Sequence, residues 1–165
     1  MIKYAKKDNS YSIFPMGKIP KDWEELTKEE YDKHFEKTLD ELKVEKLSEL
    51  TEITSKFDNQ LVNTDMIIKS SLGFSINADL RSQNNLRGLI AVGVEPVNFV
   101  TADNSVKSLS LAELNTLLNE CALNGQSLYL QKWEHKAKIE NAQTKEELEA
   151  IELKFTMRDF SHVSA

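Results

Sequence analysis

The stretch VNFVTADNSVKSLSLAELNTLLNECALNGQSLYLQKWEHKAKIENA, from Val97 to Ala142, decides how the chain is read. Val97, Phe99 and Thr101 alternate with Asn98 and Val100, the two-residue period of a half-buried strand. Ala102-Asp103-Asn104-Ser105 is turn chemistry, because Asp and Asn side chains bond their own backbone and tolerate left-handed geometry. Val106 to Leu109 returns as the second strand of a hairpin. Ser110, with Glu113 three residues on, forms a capping box that starts a helix. Leu111, Leu114, Leu117, Leu118, Cys121, Leu128 and Trp133 follow at helical spacing as one apolar stripe. Gly125 interrupts the stripe, at a cost of about 1 kcal/mol if the helix runs through it. A hairpin and one helix cannot enclose such a stripe, so other elements must cover it.

Just before this stretch the pattern repeats in kind. Met66 to Lys69 and Phe74 to Ile76 flank Ser70-Ser71-Leu72-Gly73, a second hairpin with glycine in its turn. Asp79 is a good N-cap for a helix from Leu80 to Ala91, with Leu80, Leu86, Leu89 and Ile90 as its buried face. Gly93 and Pro96 close that helix. The two β-β-α halves do not match residue for residue, so no internal duplication is read. After Ala142, Thr144 and Glu147 mark a capping box for a last helix with Leu148, Ile151 and Phe155 inward. Residues 156–165 lack periodicity and read as a loose end, although Met157 and Phe160 can pack back on the lobe.

At the other end, Ile2 to Ala5 and Ser10 to Phe14 form strands around Lys7-Asp8-Asn9, and Asp22 to Leu26 adds a third. So small a sheet has little core and is expected to dock on something else. Thr27 and Glu30 form another capping box, opening a long helix expected to run to about Val62. Tyr31, Phe35, Leu39 and Leu42 mark one stripe on it, and Leu47, Leu50, Phe57 and Leu61 mark a second, displaced by one residue. Two heptads of a and d positions fit either a linker helix or a self-associating one. The fold class expected is α+β. Its parts are a β segment (1–26), an amphipathic helix (27–62), an α+β lobe (63–155) and a tail (156–165).

With 165 residues, a net charge of -6 and a pI near 5.2, the chain has room for a modest core. Its acidity argues against nucleic acid as the main partner. The single cysteine, Cys121, sits on the apolar stripe and reads as a buried thiol rather than a nucleophile. No apolar run approaches the ~20 residues of a membrane span, and the start lacks a signal-peptide core. A cytoplasmic protein is therefore expected, or one carried in a particle assembled there.

Chemistry is sparse. His34 stands four residues after Glu30 on one helix face, but no other His or Cys is near, so an ion pair in solvent is expected rather than a metal. His135 is expected at the surface. Lys132, Lys136 and Lys138 surround Trp133 and Tyr129. Nucleic-acid stacking is one reading of that cluster, and lysine stems packed over the tryptophan at a helix end is the one favoured. There is no phosphate loop, nucleophile elbow or Cys-x-x-Cys. No catalytic residue, metal or cofactor is assigned, and no enzyme is expected.

Two regions resemble tailed-bacteriophage proteins. Gly17 to Asp22, with Ile19-Pro20-Lys21-Asp22, leads into Leu26-Thr27-Lys28-Glu29-Glu30-Tyr31. That order is similar to the N-terminal part of tail fibre assembly proteins. From about residue 66 to 152, Ser82 and Asn85, the Phe99-x-Thr101-Ala102-Asp103-Asn104 turn, Leu109, Glu113 and Leu114, Lys132-Trp133, Ala142 and Thr144 resemble a domain of unknown function found in phage tail proteins. The long Glu/Lys-rich helix and the tail depart from both patterns. The resemblance implies a tail fibre assembly chaperone or a fibre-associated component of the virion tail. It would work in the host bacterial cytoplasm, with the fibre as partner and no cofactor or membrane. Candidate partner-binding residues are Tyr11, Phe14, Trp23, Leu47, Leu50, Phe57 and Leu61, with self-association through the helix as a further option. Two other classes stay open. One is a small acidic phage protein that regulates a host protein. The other is a glycan hydrolase, which requires two carboxylates in a cleft.

Overall fold

The structure is a computed structural model that describes residues 2–58 and 65–162. The fold is α+β, and the chain divides into two compact units, Met1–Leu42 and Lys43–Ala165.

In the first unit, β1 (Lys3–Lys7), β2 (Ser10–Phe14) and β3 (Glu24–Leu26) form an antiparallel sheet in the order β2-β1-β3. Asp8 takes φ 53° in the β1–β2 turn, a conformation Asp reaches more easily than most residues. Helix α1 (Lys28–Phe35) starts at the full Thr27–Glu30 capping box. Of this unit's described residues only Ala5 is buried. Aromatic rings supply most of the remaining packing, with the Tyr31 ring 5.0 Å from Tyr4 and 6.4 Å from Tyr11.

The helix expected from residue 27 to 62 is broken. α1 ends at Phe35, and α2 (Leu39–Asp58) starts afresh. Thr38 donates from its N–H and hydroxyl to the Glu41 carboxylate (2.8 and 3.0 Å), while Glu41 N–H returns to Thr38 Oγ1 at 3.2 Å. Thr38-Leu39-Asp40-Glu41 is thus its own capping box. Leu61 and Val62 lie outside the described residues.

The second unit holds most of α2, then β4 (Ile67–Lys69), β5 (Ser75–Asn77), α3 (Leu80–Val92), β6 (Val97–Val100), β7 (Val106–Leu109), α4 (Leu111–Asn141) and α5 (Lys145–Glu149). β4–β5 and β6–β7 are the two antiparallel hairpins anticipated. Asn104 at φ 62° and Gly73 at φ 83° provide the left-handed turn positions. Asp79 caps α3 by accepting Ser82 N–H at 2.8 Å, and Gly93 ends it in the left-handed region. α4 runs unbroken through Gly125 for 31 residues from the Ser110–Glu113 box. Ile68, Ile76, Leu86, Leu109, Leu114 and Leu117 make the centre of the core, joined by Cys121 and Phe160.

Four local expectations are corrected. Trp133 is 49% exposed; the buried face of α4 passes instead through Asn124, Leu128, His135 and Ile139. Leu80 is 39% exposed at the first turn of α3, although its cap Asp79 is buried, and Leu86 is the buried residue of that helix. α5 is only five residues long, so Ile151 and Phe155 follow it in irregular chain, both half-buried. In its cap Glu147 accepts Gln143 N–H (2.7 Å) rather than the N–H of Thr144.

The fourth concerns the tail, which is anchored. Phe160 is 4% exposed and its N–H donates to Lys69 O at 2.8 Å, forming a parallel bridge along the outer edge of β4. Met157 packs on the same core, and Asp159 pairs with Lys69 at 3.0 Å. The hydroxyl and N–H of Ser161, with Lys69, hold the Asp159 carboxyl well below the ordinary carboxylate range.

Candidate functional site

Of the residues expected to meet a partner, Tyr11, Phe14 and Trp23 belong to the first unit. Tyr11 lies flat on the His34 ring, centroids 3.4 Å apart, with the Phe35 edge at 5.7 Å. The expected ion-pair role of His34 is thereby corrected to stacking. Phe14 and Trp23 meet edge to face at 5.5 Å. Leu47, Leu50 and Phe57 belong to the second unit. There Leu50 is 3% exposed, Leu47 is half-buried, and the Phe57 ring rests 5.4 Å from Phe155. This stripe of α2 is therefore largely occupied by its own chain. Leu61 lies outside the described residues.

Three polar side chains are buried on α4, two of them, Glu120 and Asn124, not singled out in the sequence. Glu120 Oε1 accepts the N–H and hydroxyl of Ser71 (3.0 and 2.6 Å), which fixes the β4–β5 turn to the helix. Asn124 accepts Arg158 N–H at 2.9 Å and donates to the Met157 sulfur at 3.5 Å, clipping down the tail. His135, expected at the surface, is 8% exposed, and its Nε2 bonds Lys154 O at 2.9 Å. Glu120 Oε2 and His135 Nδ1 are buried without a partner. Spacings of three, four and seven from Leu117 through Ile139 run through Asn124 and His135, and that periodicity is the signal that could have found them. Cys121 is buried as expected, and burial, helped by the charge of Glu120, pushes its thiol up to about 12.

Lys136 Nζ sits 4.7 Å over the Trp133 ring, and Tyr129 meets Trp133 at 6.1 Å. The basic-aromatic cluster is thus a lysine packed on a tryptophan along one helix. Among the described residues no group of three or more His, Cys, Asp or Glu is placed to hold a metal, and no helix is long and apolar enough to cross a membrane.

A concavity lies between α3 and β6. It is a groove of about 540 Å³, within the ordinary ligand-site range of about 300–1,000 Å³. α3 contributes Ser82, Asn84, Asn85, Gly88, Leu89 and Val92; β5 ends at its rim with Asn77. β6 supplies Asn98, Phe99 and Val100. No ionisable side chain lines it. Four asparagines share the lining with apolar residues, of which Val92 and Val100 are 71% and 58% exposed. Asn84 is held by Arg87 Nη1 at 3.1 Å. Ser82, Asn85 and Phe99, separate motif residues in the sequence, converge here. The chemistry available is neutral hydrogen bonding beside an apolar surface, with no group suited to proton transfer.

No curated protein and no solved structure matches the chain. A family described as a domain of unknown function, DUF4376, matches residues 42–152, about two thirds of the length and the whole of the groove. The chain belongs to the DUF4376 family.

Proposed function

We propose that this protein is a non-catalytic phage tail fibre assembly factor that works by covering unfinished surface on another polypeptide. The observation that carries the reading is the first unit's inability to bury its own apolar side chains. Ile2, Ile13, Met16 and Phe35 are 58%, 48%, 89% and 59% exposed around a single buried alanine. Apolar groups gathered on so small a unit mark a contact surface. Among the described residues, β2 and β3 each pair on one side only, and strands with an open edge accept another strand. The motif resemblance at Ile19 to Tyr31 supplies the kind of partner. A fibre chain waiting to trimerise exposes the complementary edges and apolar faces.

The test is co-expression with the tail fibre gene of the same genome. The fibre is expected to move from pellet to supernatant, and the double substitution Ile13→Asp, Met16→Asp to return it to the pellet. A fibre equally insoluble with and without this chain contradicts the reading. So does a pull-down from host lysate that returns a host enzyme in place of the fibre.

A further inference from the structure

The registers of the two hairpins fix where each strand's main chain points. In an antiparallel pair, residues alternate between hydrogen-bonded pairs, whose N–H and C=O face the partner strand, and pairs whose groups face away. Thr101 N–H donates to Ser105 O at 2.9 Å. In that register Phe99↔Lys107 and Val97↔Leu109 are bonded pairs, whereas Asn98↔Ser108 and Val100↔Val106 are not. The N–H and C=O of Asn98 and Val100 therefore point away from β7. The first hairpin follows the same count. Ser70 N–H to Phe74 O (2.9 Å) and Ala78 N–H to Met66 O (2.7 Å) leave Ser75 and Asn77 pointing away from β4.

These outward groups meet once, where Ala102 N–H donates to Ser75 O at 2.9 Å. Beyond that bond β5 and β6 share no ladder, and Asn77 and Val100 both line the groove. The outer edge of β4 is closed by Phe160 N–H on Lys69 O. At β6, the main-chain groups of Asn98 and Val100 have no hydrogen-bond partner among the described residues.

We propose that this gap is a strand-addition site for an extended, uncharged segment of a partner protein. The segment lies along β6 and pairs its main chain with the N–H and C=O of Asn98 and Val100. The amides of Asn77 and Asn85 take up its remaining polar groups, and small apolar side chains rest on Leu89 and Val92. The segment is uncharged because no ionisable side chain lining the groove offers a counter-charge to pair with. The inference rests on the binding role proposed above and names the place where part of that binding occurs.

The experiment titrates the full ¹⁵N-labelled chain with acetyl-Thr-Val-Thr-Val-amide to millimolar concentration. The amide protons of Asn98 and Val100 are expected to shift downfield and to exchange with solvent about tenfold more slowly or less, while Phe99, already bonded across the hairpin, stays put. The same peptide N-methylated at both valines should lose the effect. Val100→Pro removes an outward N–H that has no internal partner, at an edge where proline is tolerated, and should weaken the peptide about tenfold or more. Val100→Ala should not. Unchanged Asn98 and Val100 amides, equal binding of the N-methylated peptide, or N,N′-diacetylchitobiose displacing the peptide each overturns the proposal. In co-expression, a fibre kept soluble by Val100→Pro sinks the groove assignment and leaves the binding role standing. If the peptide binds but the unsubstituted chain leaves the fibre insoluble, the groove stands and the fibre role falls.

Discussion

Phe160→Ala separates an anchored tail from a loose one. The ring is 4% exposed and packs in the cluster that contains Ile68, Leu117 and Cys121. Truncating a buried Phe costs about 3–5 kcal/mol, as transfer free energy plus the cavity left behind. The Arg158 guanidinium, 5.0 Å over the ring, loses its partner as well, which is worth roughly 0.5–1 kcal/mol at a site open to water. Against a domain stability of about 5–15 kcal/mol, the loss is large. The assay is urea unfolding followed by far-UV circular dichroism, whose helical signal comes largely from α4 and α2. With a slope of about 1–3 kcal/mol per molar urea, the midpoint should fall by at least about 1 M. Met16→Ala, at a side chain 89% exposed, is the control and should stay within about 0.5 kcal/mol. A Phe160→Ala cost below about 1 kcal/mol would mean that the tail is not part of the core.

Three further outcomes follow from single residues. The Thr101 hydroxyl, then the Ser105 N–H and hydroxyl, hold the Asp103 carboxyl down from 3.8 to about 2. A depressed carboxylate stabilises the fold above its unfolded pKa and loses that contribution as pH falls through the folded value. The β6–β7 turn should therefore loosen between about pH 4 and pH 2, with the Asp103 carboxyl ¹³C midpoint near 2; a midpoint at 3.8 refutes the geometry. A Cβ at Gly125 meets no heavy atom within 4 Å and lies on the rim of a crevice of about 110 Å³. Gly125→Ala should then stabilise by up to about 1 kcal/mol in thermal unfolding, and any destabilisation contradicts an unstrained helix there. Cys121, 1% exposed, should resist a thiol reagent in the native chain and react fully in urea; rapid native labelling would place it at the surface.

What the sequence revealed was local. Asp79, Ser110 and Thr27 announced their helices because a cap is read from four consecutive residues, and Asp103-Asn104 announced its hairpin in the same way. The break before Thr38 carried an equal signal in Thr38 and Glu41. It was overlooked because stripes of apolar residues continue on both sides. Glu120, Asn124 and His135 were hidden by their polarity, since position on α4 buries them where residue type argues for solvent. Phe160 is held by one main-chain bond and a socket formed by distant residues, and neither has a period. The groove depends on hairpin register: Asn98 and Val100 look alike in sequence whether their main chain faces β7 or the gap.

The most direct measurement of the central claim is a refolding titration. The distal segment of the tail fibre from the same genome is diluted from denaturant with increasing amounts of this chain, and light scattering is followed. A protein that works by covering surface should suppress aggregation in proportion to its amount, reaching full effect near one chain per fibre chain. Scattering that is unchanged at that ratio, or abolished by a small fraction of it, would contradict the account.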